Sequence, residues 1–340
     1  MLQSLKQLYW DIRYGDKRLF SLRNEGEKRV LEILGKQWRW QRRLSRFERI
    51  LYFDRYSDDF SEEDQRYYLD CCYKEKTGKT INWDNPQTFN EKIQWLKLYY
   101  HNPLLTQCSD KVAVRDYVAQ KIGEEYLIPI IGVYSSPDEI DFEALPKRFV
   151  LKVNWGSGQN IICNDKSTLN VDEAKIQLQQ WMLPKNNLYF SHLEWGYKNI
   201  VPKIICEQFI ENNSENHEIY DYKFFCFNGK VAYIMFLAER QTGLKMAFFD
   251  TQWEKQDFVY SYPIYEKKVS KPENLSLMIS VVETLAKDFP EARVDVFRMN
   301  DGHLYLGEMT FYSYAGYCNW NPPEWDLKLG QMIQLPEKWI

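Results

Sequence analysis

The sequence predicts an α+β fold, in which helices and mainly antiparallel strands occupy separate stretches of the chain. Helix signals precede Tyr126 and short apolar runs typical of strands follow it, with further strands over 204–249 and 292–309. The chain has 340 residues, of which 44% are hydrophobic, so it can bury a large core. No run approaches the ~20 apolar residues that a membrane helix needs.

The first 70 residues have few turn signals and predict charged helices. Residues 1–50 carry 13 Lys or Arg against 6 Asp or Glu. Segment 36–49 interleaves basic and aromatic residues over a helical length. Two interpretations stay open: a helix that contacts an anionic membrane surface or a polyanion, and a solvated helix that covers a domain.

Helix boundaries are clear between residues 80 and 125. A capping-box pattern at 88–91 predicts a helix that runs to residue 100. Pro103 predicts a break in the next segment. Ser109 predicts the cap of a second helix, which ends before Gly123.

Strand signals dominate the rest of the chain. Apolar runs at 128–134 and 149–153 predict strands, and helical spacing over 174–182 predicts a helix. Strands then dominate 204–249, and an amphipathic helix is predicted over 275–289.

A hairpin with facing acids is the most informative segment. Asp301-Gly302 is a strong two-residue turn signal, and such a turn sets Asp295 opposite Glu308. Opposed Cβ atoms lie about 4.5–5.5 Å apart, where like charges destabilise the pair. Mg²⁺ would offset this repulsion, because it binds one or two carboxylates together with substrate phosphates. The alternative is a surface hairpin whose acids face water or pair with Arg298 or a lysine.

A glycine loop follows the strand at 149–153. Gly156 and Gly158 flank Ser157 and allow backbone N–H groups to approach a phosphate, while Lys152 supplies a point charge. The pattern is neither a Walker loop nor a dinucleotide fingerprint. Taken alone, such a loop is usually a hairpin turn.

Other chemistry finds little support. The four His have no metal-ligand spacing, and the seven Cys fit reduced thiols. The first 30 residues are charged and lack an apolar secretory core, so we expect a cytoplasmic protein, with a peripheral contact at the inner membrane face as the alternative offered by segment 36–49. No nucleic-acid partner is expected.

Eight segments together resemble the TupA-like ATP-grasp family, a family associated with capsular and teichuronopeptide polysaccharide biosynthesis. The resemblance covers roughly residues 64–335. The segments are 88–97 (TFNEKIQWLK), 149–152 (FVLK), 156–158 (GSG), 221–229 (DYKFFCFNG), 288–290 (DFP), 293–295 (RVD), 307–312 (GEMTFY) and 325–330 (WDLKLG).

The resemblance implies an ATP-grasp fold, in which two α+β subdomains clasp ATP, preceded here by a helical N-terminal region. The expected boundaries are 1–70 for the basic helical region, 71–147 for the N-terminal part of the unit, 148–210 for the subdomain with the glycine loop, and 211–340 for the subdomain with the metal hairpin.

The resemblance also implies roles for particular residues. ATP and Mg²⁺ are the expected cofactors, with Arg293 and Lys152 as catalytic residues. Metal ligation is expected of Asp295, Glu308 and Thr310. Nucleotide binding is expected of Lys111, Lys152, Gly156, Ser157, Gly158, the adenine linker Glu207, Gln208, Phe209 and Ile210, and Asp221 near the ribose.

Three positions depart from the family pattern. Thr310 stands where many ATP-grasp enzymes have an Asn ligand, Tyr312-Ser313-Tyr314 replaces an expected Tyr-Pro-Gly, and Trp155 replaces an expected His. These departures concern the substrate side and the metal geometry. Trp155, Tyr312, Tyr314, Tyr317 and Trp320 are either sugar-stacking residues or core.

The resemblance therefore favours a carboxylate–amine ligase that acts through an acyl phosphate. Its expected partners are ATP, an acidic glycan or a nucleotide-linked or lipid-linked acidic sugar, and an amine or amino acid. A glycosyltransferase, a glycan phosphotransferase and a non-catalytic binding module are the alternatives.

Overall fold

The computed structural model describes residues 10–339 except 15–16, 26–27, 34–35, 42–44, 53, 58–59, 212–219 and 239–242. The chain divides into two compact units, Met1–Thr80 and Ile81–Ile340. In the part of the chain that is described, no helix is long and apolar enough to cross a membrane.

The first unit contains an antiparallel four-stranded meander followed by two helices. Its elements are β1 (Trp10–Tyr14), β2 (Lys17–Glu25), β3 (Lys28–Ile33), β4 (Lys36–Gln41), α1 (Arg46–Tyr52) and α2 (Glu62–Thr77), with the strands in the order β1-β2-β3-β4. Helix α2 has Ser61 as its N-cap and ends at Gly78, whose φ of 73° is left-handed.

The prediction of helices throughout residues 1–70 was wrong for 10–41. Charge content does not distinguish a helix from a strand, and the alternation Lys-Gln-Trp-Arg-Trp-Gln over Lys36–Gln41 has the period of two typical of a strand. Segment 36–49 is therefore not one helix, although α1 begins within it. Contact of this segment with a membrane or a polyanion stays a prediction, but it no longer rests on a single helix.

The second unit alternates between helices and two larger sheets. Its first half has α3 (Phe89–Tyr99), α4 (Pro103–Ser109), α5 (Val114–Lys121), β5 (Ile130–Tyr134), β6 (Phe149–Val153), β7 (Asn160–Cys163), α6 (Val171–Trp181), α7 (Leu188–His192) and β8 (Ile204–Gln208). Its second half has β9 (Tyr220–Phe227), β10 (Lys230–Ala238), β11 (Lys245–Phe249), β12 (Val259–Tyr260), α8 (Leu275–Ala286), β13 (Glu291–Arg298), β14 (Leu304–Thr310), β15 (Trp320–Asn321) and α9 (Trp325–Met332).

Both larger sheets are antiparallel, which confirms the α+β prediction. One has the order β5-β8-β6-β7 and the other β11-β10-β9-β13-β14. Helix α8 packs against β9, β10 and β13 with an apolar stripe in which Met278, Val282 and Leu285 are fully buried. Truncating Met278 or Leu285 to Ala costs about 2–5 kcal/mol in comparable cores, so the stripe stabilises the packing of α8 on the larger sheet.

Helix α3 begins with the predicted capping box, because the Thr88 hydroxyl and the Glu91 carboxylate each accept from the other's backbone N–H. The roles predicted for Pro103 and Ser109 were wrong, whereas the predicted helix end before Gly123 is confirmed, because α5 ends at Lys121 with Ile122 as its C-cap. Pro103 starts α4 as its first residue, where a missing N–H has no cost, and Ser109 ends that helix. Helix α5 begins only at Val114, after a turn in which Asp110 accepts from two backbone N–H groups.

The buried polar face of α3 explains segment 88–97. Asn90 exchanges two hydrogen bonds of 2.8 Å with the Cys318 backbone. Gln94 and Lys97 donate to the Ala315 carbonyl oxygen at 2.9 and 2.7 Å. Ala315 has a left-handed φ of 53°, an uncommon conformation for a residue with a side chain. The helix thus secures the strained loop that follows β14.

Candidate functional site

The hairpin β13–β14 pairs Asp295 with Glu308 and Arg293 with Thr310, as the sequence predicted. The predicted two-residue turn was wrong, because five residues, 299–303, separate the paired Arg298 and Leu304. A bulge at Gly307 adds one residue to β14 and restores the predicted pairing. The loop shifts the register of the two strands by one residue from the predicted one, and the bulge shifts it back. Both acids therefore lie on the same face of the sheet.

Gly307 occupies the bulge at a point where space for a side chain is tight. A Cβ atom on this residue would lie 3.2 Å from the Asp295 carbonyl oxygen and 3.2 Å from the Phe297 ring. A larger residue here would therefore require the strand or the ring beside the acids to shift by a few tenths of an ångström.

Two cations neutralise the facing acids in this structure. The Arg293 guanidinium donates to Asp295 at 2.7 and 3.0 Å and to Glu308 at 3.0 Å, and Lys223 also pairs with Asp295. Burial by itself raises the pKa of Asp295, but Arg293 and Lys223 outweigh burial and hold this pKa below its usual value. The Asp295 carboxylate therefore stays ionised although it is buried.

The acids suit a divalent cation that also carries phosphate. They are two carboxylates on one face, and among the described residues no group of three His, Cys, Asp or Glu side chains is arranged to hold a metal. Mg²⁺ is bound in this way in many phosphate sites, through one or two carboxylates with phosphate oxygens and water completing its shell. Thr310, opposite Arg293, is half-buried and adds a neutral hydroxyl to the same face.

The glycine loop joins β6 to β7, and Lys111 ties it to the hairpin. Gly156 and Gly158 have left-handed φ values of 80° and 71°. The Lys111 ammonium donates to the Gly156 carbonyl oxygen at 2.9 Å and lies 4.0 Å from the Glu308 carboxylate. Burial lowers the pKa of Lys111, and the Glu308 charge opposes that effect. Lys111 lies in the turn before α5, not in the helix.

Lys152 lies on β6 opposite β8, where it pairs with Glu207 at 2.6 Å. Arg115 lies 3.6 Å from the same carboxylate, and Glu207 is itself buried. The Glu207 carboxylate therefore forms ion pairs with both Lys152 and Arg115 at the edge of the cleft. The linker residue Phe209 lies beyond β8, and the Arg148 guanidinium stacks over its ring at 5.0 Å.

Two adjoining clefts bring most of the predicted residues together. They share Lys111, Lys152, Gly307 and Glu308. One cleft adds Glu207, and the other adds Gly156, Ser157, Gly158 and Asp295. Gln208, Phe209, Ile210, Asp221, Arg293 and Thr310 do not line either cleft. Of these, Arg293 is bonded to both hairpin acids, and Asp221 lies 3.2 Å from the Lys223 ammonium.

Sequence reasoning missed Lys223 and Arg115. Lys223 lies on β9 directly opposite Asp295 on β13, and these strands are far apart in the chain. A period-two pattern places Lys223 on the same strand face as Asp221, but only the pairing of β9 with β13 brings it to Asp295. Arg115 is the second residue of α5, and no local sequence pattern pointed to it.

The aromatic residues considered for sugar stacking are mainly core. Trp155, Tyr312 and Trp320 are buried, and the Trp155 indole donates to the Trp181 carbonyl oxygen at 3.0 Å. Tyr314 differs, since 41% of it is exposed.

A lysine-bearing strand, a glycine loop and a two-carboxylate hairpin lie around the adjoining clefts, as the resemblance to ATP-grasp enzymes implied, and the α+β unit that carries them has the ATP-grasp fold. The family model described as TupA-like ATPgrasp matches residues 91–334. The chain belongs to the TupA-like ATP-grasp family.

Solved structures of ATP-grasp enzymes are similar at low identity. A D-alanine–D-alanine ligase from Bacillus anthracis is 19% identical, with 61% of this chain and 59% of that one covered and a TM-score of 0.36. An L-amino acid ligase from Bacillus licheniformis is 13% identical, with 80% and 59% covered and a TM-score of 0.43. This chain therefore spans less than two thirds of either structure. No curated protein matches.

Proposed function

We propose that this protein is a Mg-ATP-dependent ligase that joins a carboxylate to an amine through an acyl phosphate. The proposed acid belongs to a uronic-acid-bearing surface polysaccharide or its precursor, either nucleotide-linked or lipid-linked. The amine partner is a simple amine or an amino acid. The pairing of Asp295 with Glu308 on the cleft face, with Arg293 between them, carries the proposal.

In this proposal the phosphates of ATP lie between the glycine loop and the hairpin. Lys111 and Lys152 supply positive charge from one side, and backbone N–H groups at 156–158 approach the phosphate oxygens. Gln208 to Ile210 contact adenine through backbone groups, and Asp221 lies near the ribose. The proposed metal ligands are Asp295, Glu308 and Thr310, and the bound Mg²⁺ supplies charge neutralisation at the transferred phosphate.

An exchange of partners makes the site responsive to the nucleotide. Arg293 and Lys223 neutralise the acids in the structure described here. A divalent cation held by Asp295 and Glu308 would neutralise these acids instead, and Arg293 and Lys223 would then be available to bind the transferred phosphate and the substrate carboxylate. Positioning and charge neutralisation are the main contributions that such a reaction needs from a protein, and no protein nucleophile is required.

Binding of Mg-ATP tests the first half of the proposal. A ligand present at a hundred times its Kd stabilises a protein by about 2.7 kcal/mol, so the melting temperature should rise with Mg-ATP and not with Mg-UTP. An equal response to both nucleotides, or none to either, would contradict the proposal.

Product analysis tests the second half. Release of ADP and inorganic phosphate that depends on both a uronic-acid glycan and an amine is expected. ADP without free phosphate would instead indicate a glycan phosphotransferase, and UDP release from a nucleotide sugar would indicate a glycosyltransferase.

A further inference from the structure

Arg115 and Lys152 share one carboxylate, that of Glu207. The Lys152 ammonium lies 2.6 Å from Oε2 of Glu207, and the Arg115 guanidinium lies 3.6 Å from Oε1. Among the described residues, these two are the cations within 4 Å of this acid. All three side chains are mostly buried, and all three line the same cleft.

The Arg115 guanidinium is held in place by a backbone carbonyl group. Arg115 is the second residue of α5, and its Nη2 group donates to the Ile128 carbonyl oxygen at 2.8 Å. A guanidinium is planar and presents its donors in a rigid fork, so this bond orients the remaining donors towards Glu207. At 3.6 Å, Nη1 is too far from Oε1 of Glu207 for a hydrogen bond. The contact therefore has room to tighten.

Lys152 differs from Arg115 in its reach. Lys152 lines both of the adjoining clefts, whereas Arg115 and Glu207 line only one of them. The other cleft contains the glycine loop 156–158 and Asp295, where the phosphates of ATP are proposed to lie. A lysine carries a compact charge on a flexible stem, so its ammonium can rotate from the acid towards a phosphate while the backbone of β6 stays in place.

Glu207 opposes this rotation of Lys152. A buried carboxylate that loses its cation is strongly destabilised, because the charge remains out of water without compensation. With Lys152 as its sole ion-pair partner, Glu207 would compete with the phosphates for the lysine. The second ion pair, with Arg115, leaves the carboxylate neutralised when Lys152 departs.

We propose that Arg115 is a positioning residue for nucleotide binding, which neutralises Glu207 when Lys152 turns to the phosphates of ATP. The proposal rests on the ligase function proposed above and names the residue that releases its phosphate-binding lysine. Arg115 therefore contributes to the affinity for the nucleotide without contact with it. This contribution exists only as long as residue 207 carries a negative charge.

Calorimetric titration with Mg²⁺ and a non-hydrolysable ATP analogue tests this role in two backgrounds. In the wild-type background, Arg115→Gln should weaken binding of the analogue about tenfold or more, because the lysine stays with the acid. In a Glu207→Gln background the same replacement should weaken binding less than about twofold, because no buried carboxylate remains to be neutralised. Any effect of Glu207→Gln itself on the nucleotide cancels in this comparison.

Two single variants complete the test. Arg115→Lys retains the positive charge and should bind the analogue within about threefold of the wild type, which separates loss of charge from a folding defect. Lys121→Gln is the matched control, because it removes a cation from an ion pair with Asp288 at the other end of α5. Its affinity for the analogue should stay within about twofold of the wild type.

Two results would overturn the role of Arg115: wild-type affinity in Arg115→Gln, or equal losses in the wild-type and Glu207→Gln backgrounds. Equal losses would show that Arg115 acts through its bond to the Ile128 carbonyl oxygen or through direct contact with the nucleotide. In both cases the wild-type protein still binds the analogue, and the nucleotide site stands. If the wild-type protein does not bind the analogue, the proposed ligase function fails first and the role of Arg115 fails with it.

Discussion

Strand β13 holds two carboxylic acids in equally dry surroundings and gives them opposite charge states. Asp295 and Glu291 are both 2% exposed and share one face of the strand. Arg293 and Lys223 hold the pKa of Asp295 below its usual value, whereas burial raises the pKa of Glu291 to about 8. The difference comes from contact with cations, because Asp295 is bonded directly to two of them and Glu291 to neither.

This contrast separates two kinds of buried acid in one site. An acid with cations bonded to it stays ionised at neutral pH although it is buried. An acid without such bonds is mainly protonated at neutral pH. Three predictions test or refine the contrast, in order of the size of the expected effect.

The largest effect is expected on turnover, after loss of the Glu308 carboxylate, which faces Asp295. Glu308→Gln removes a carboxylate that faces the cleft, and turnover should fall about a hundredfold or more, in the range seen when one charge-stabilising group is lost from an active site. Because the Glu308 side chain is 32% exposed, the free energy of unfolding should change by less than about 1 kcal/mol. Rates of ADP release and urea unfolding curves measure both quantities. Wild-type turnover in this variant would remove the metal assignment.

The free energy of unfolding should respond much more strongly to loss of the Asp295 charge than to loss of the Glu291 carboxyl group. Asp295→Asn leaves two buried cations without their partner and should lower the free energy of unfolding by about 3–5 kcal/mol at neutral pH. Glu291→Gln replaces a mainly neutral acid with a neutral amide of the same shape and should change it by less than about 1 kcal/mol. Denaturant unfolding of both variants gives the comparison, and equal losses would show that burial alone decides the cost.

The pH dependence should distinguish the same two acids. Glu291 has a folded-state pKa above its unfolded value, so its proton stabilises the fold at low pH and this contribution is lost as pH rises from about 5 to about 8. The stability of the wild-type protein relative to Glu291→Gln should therefore fall by about 1–3 kcal/mol over that window. Asp295, whose pKa is lowered, contributes stability above its unfolded pKa and loses it only in acid. Unfolding measured across the pH range checks the sign.

Local patterns predicted much of this site from the sequence. The hairpin is a short-range element whose turn signal and strand alternation lie within 18 residues, 293–310, so the facing acids were predictable even though the turn length was wrong. The capping box of α3 was predictable for the same reason. The family resemblance gave a nucleotide-binding interpretation to the glycine loop and Lys152, and it added Lys111.

The unpredicted features depend on contacts between distant segments. The pairing of Lys223 with Asp295 requires β9 to lie beside β13, and no local pattern specifies that neighbour. The buried environment of Glu291 likewise depends on Glu194 and Ser313 from other segments. In the first unit, charged residues masked a period-two alternation, and strands were taken for helices.

The bulge at Gly307 makes β14 tolerant of one particular deletion. Gly307 is the extra residue of the bulge, so its removal would make Leu306 and Glu308 consecutive and leave them opposite Val296 and Asp295. Glu308 would therefore stay on the cleft face, and the strand would lose the local bend and added twist that a bulge gives. The glycine thus shapes the strand beside the acids, whereas the pairing of the acids does not depend on it.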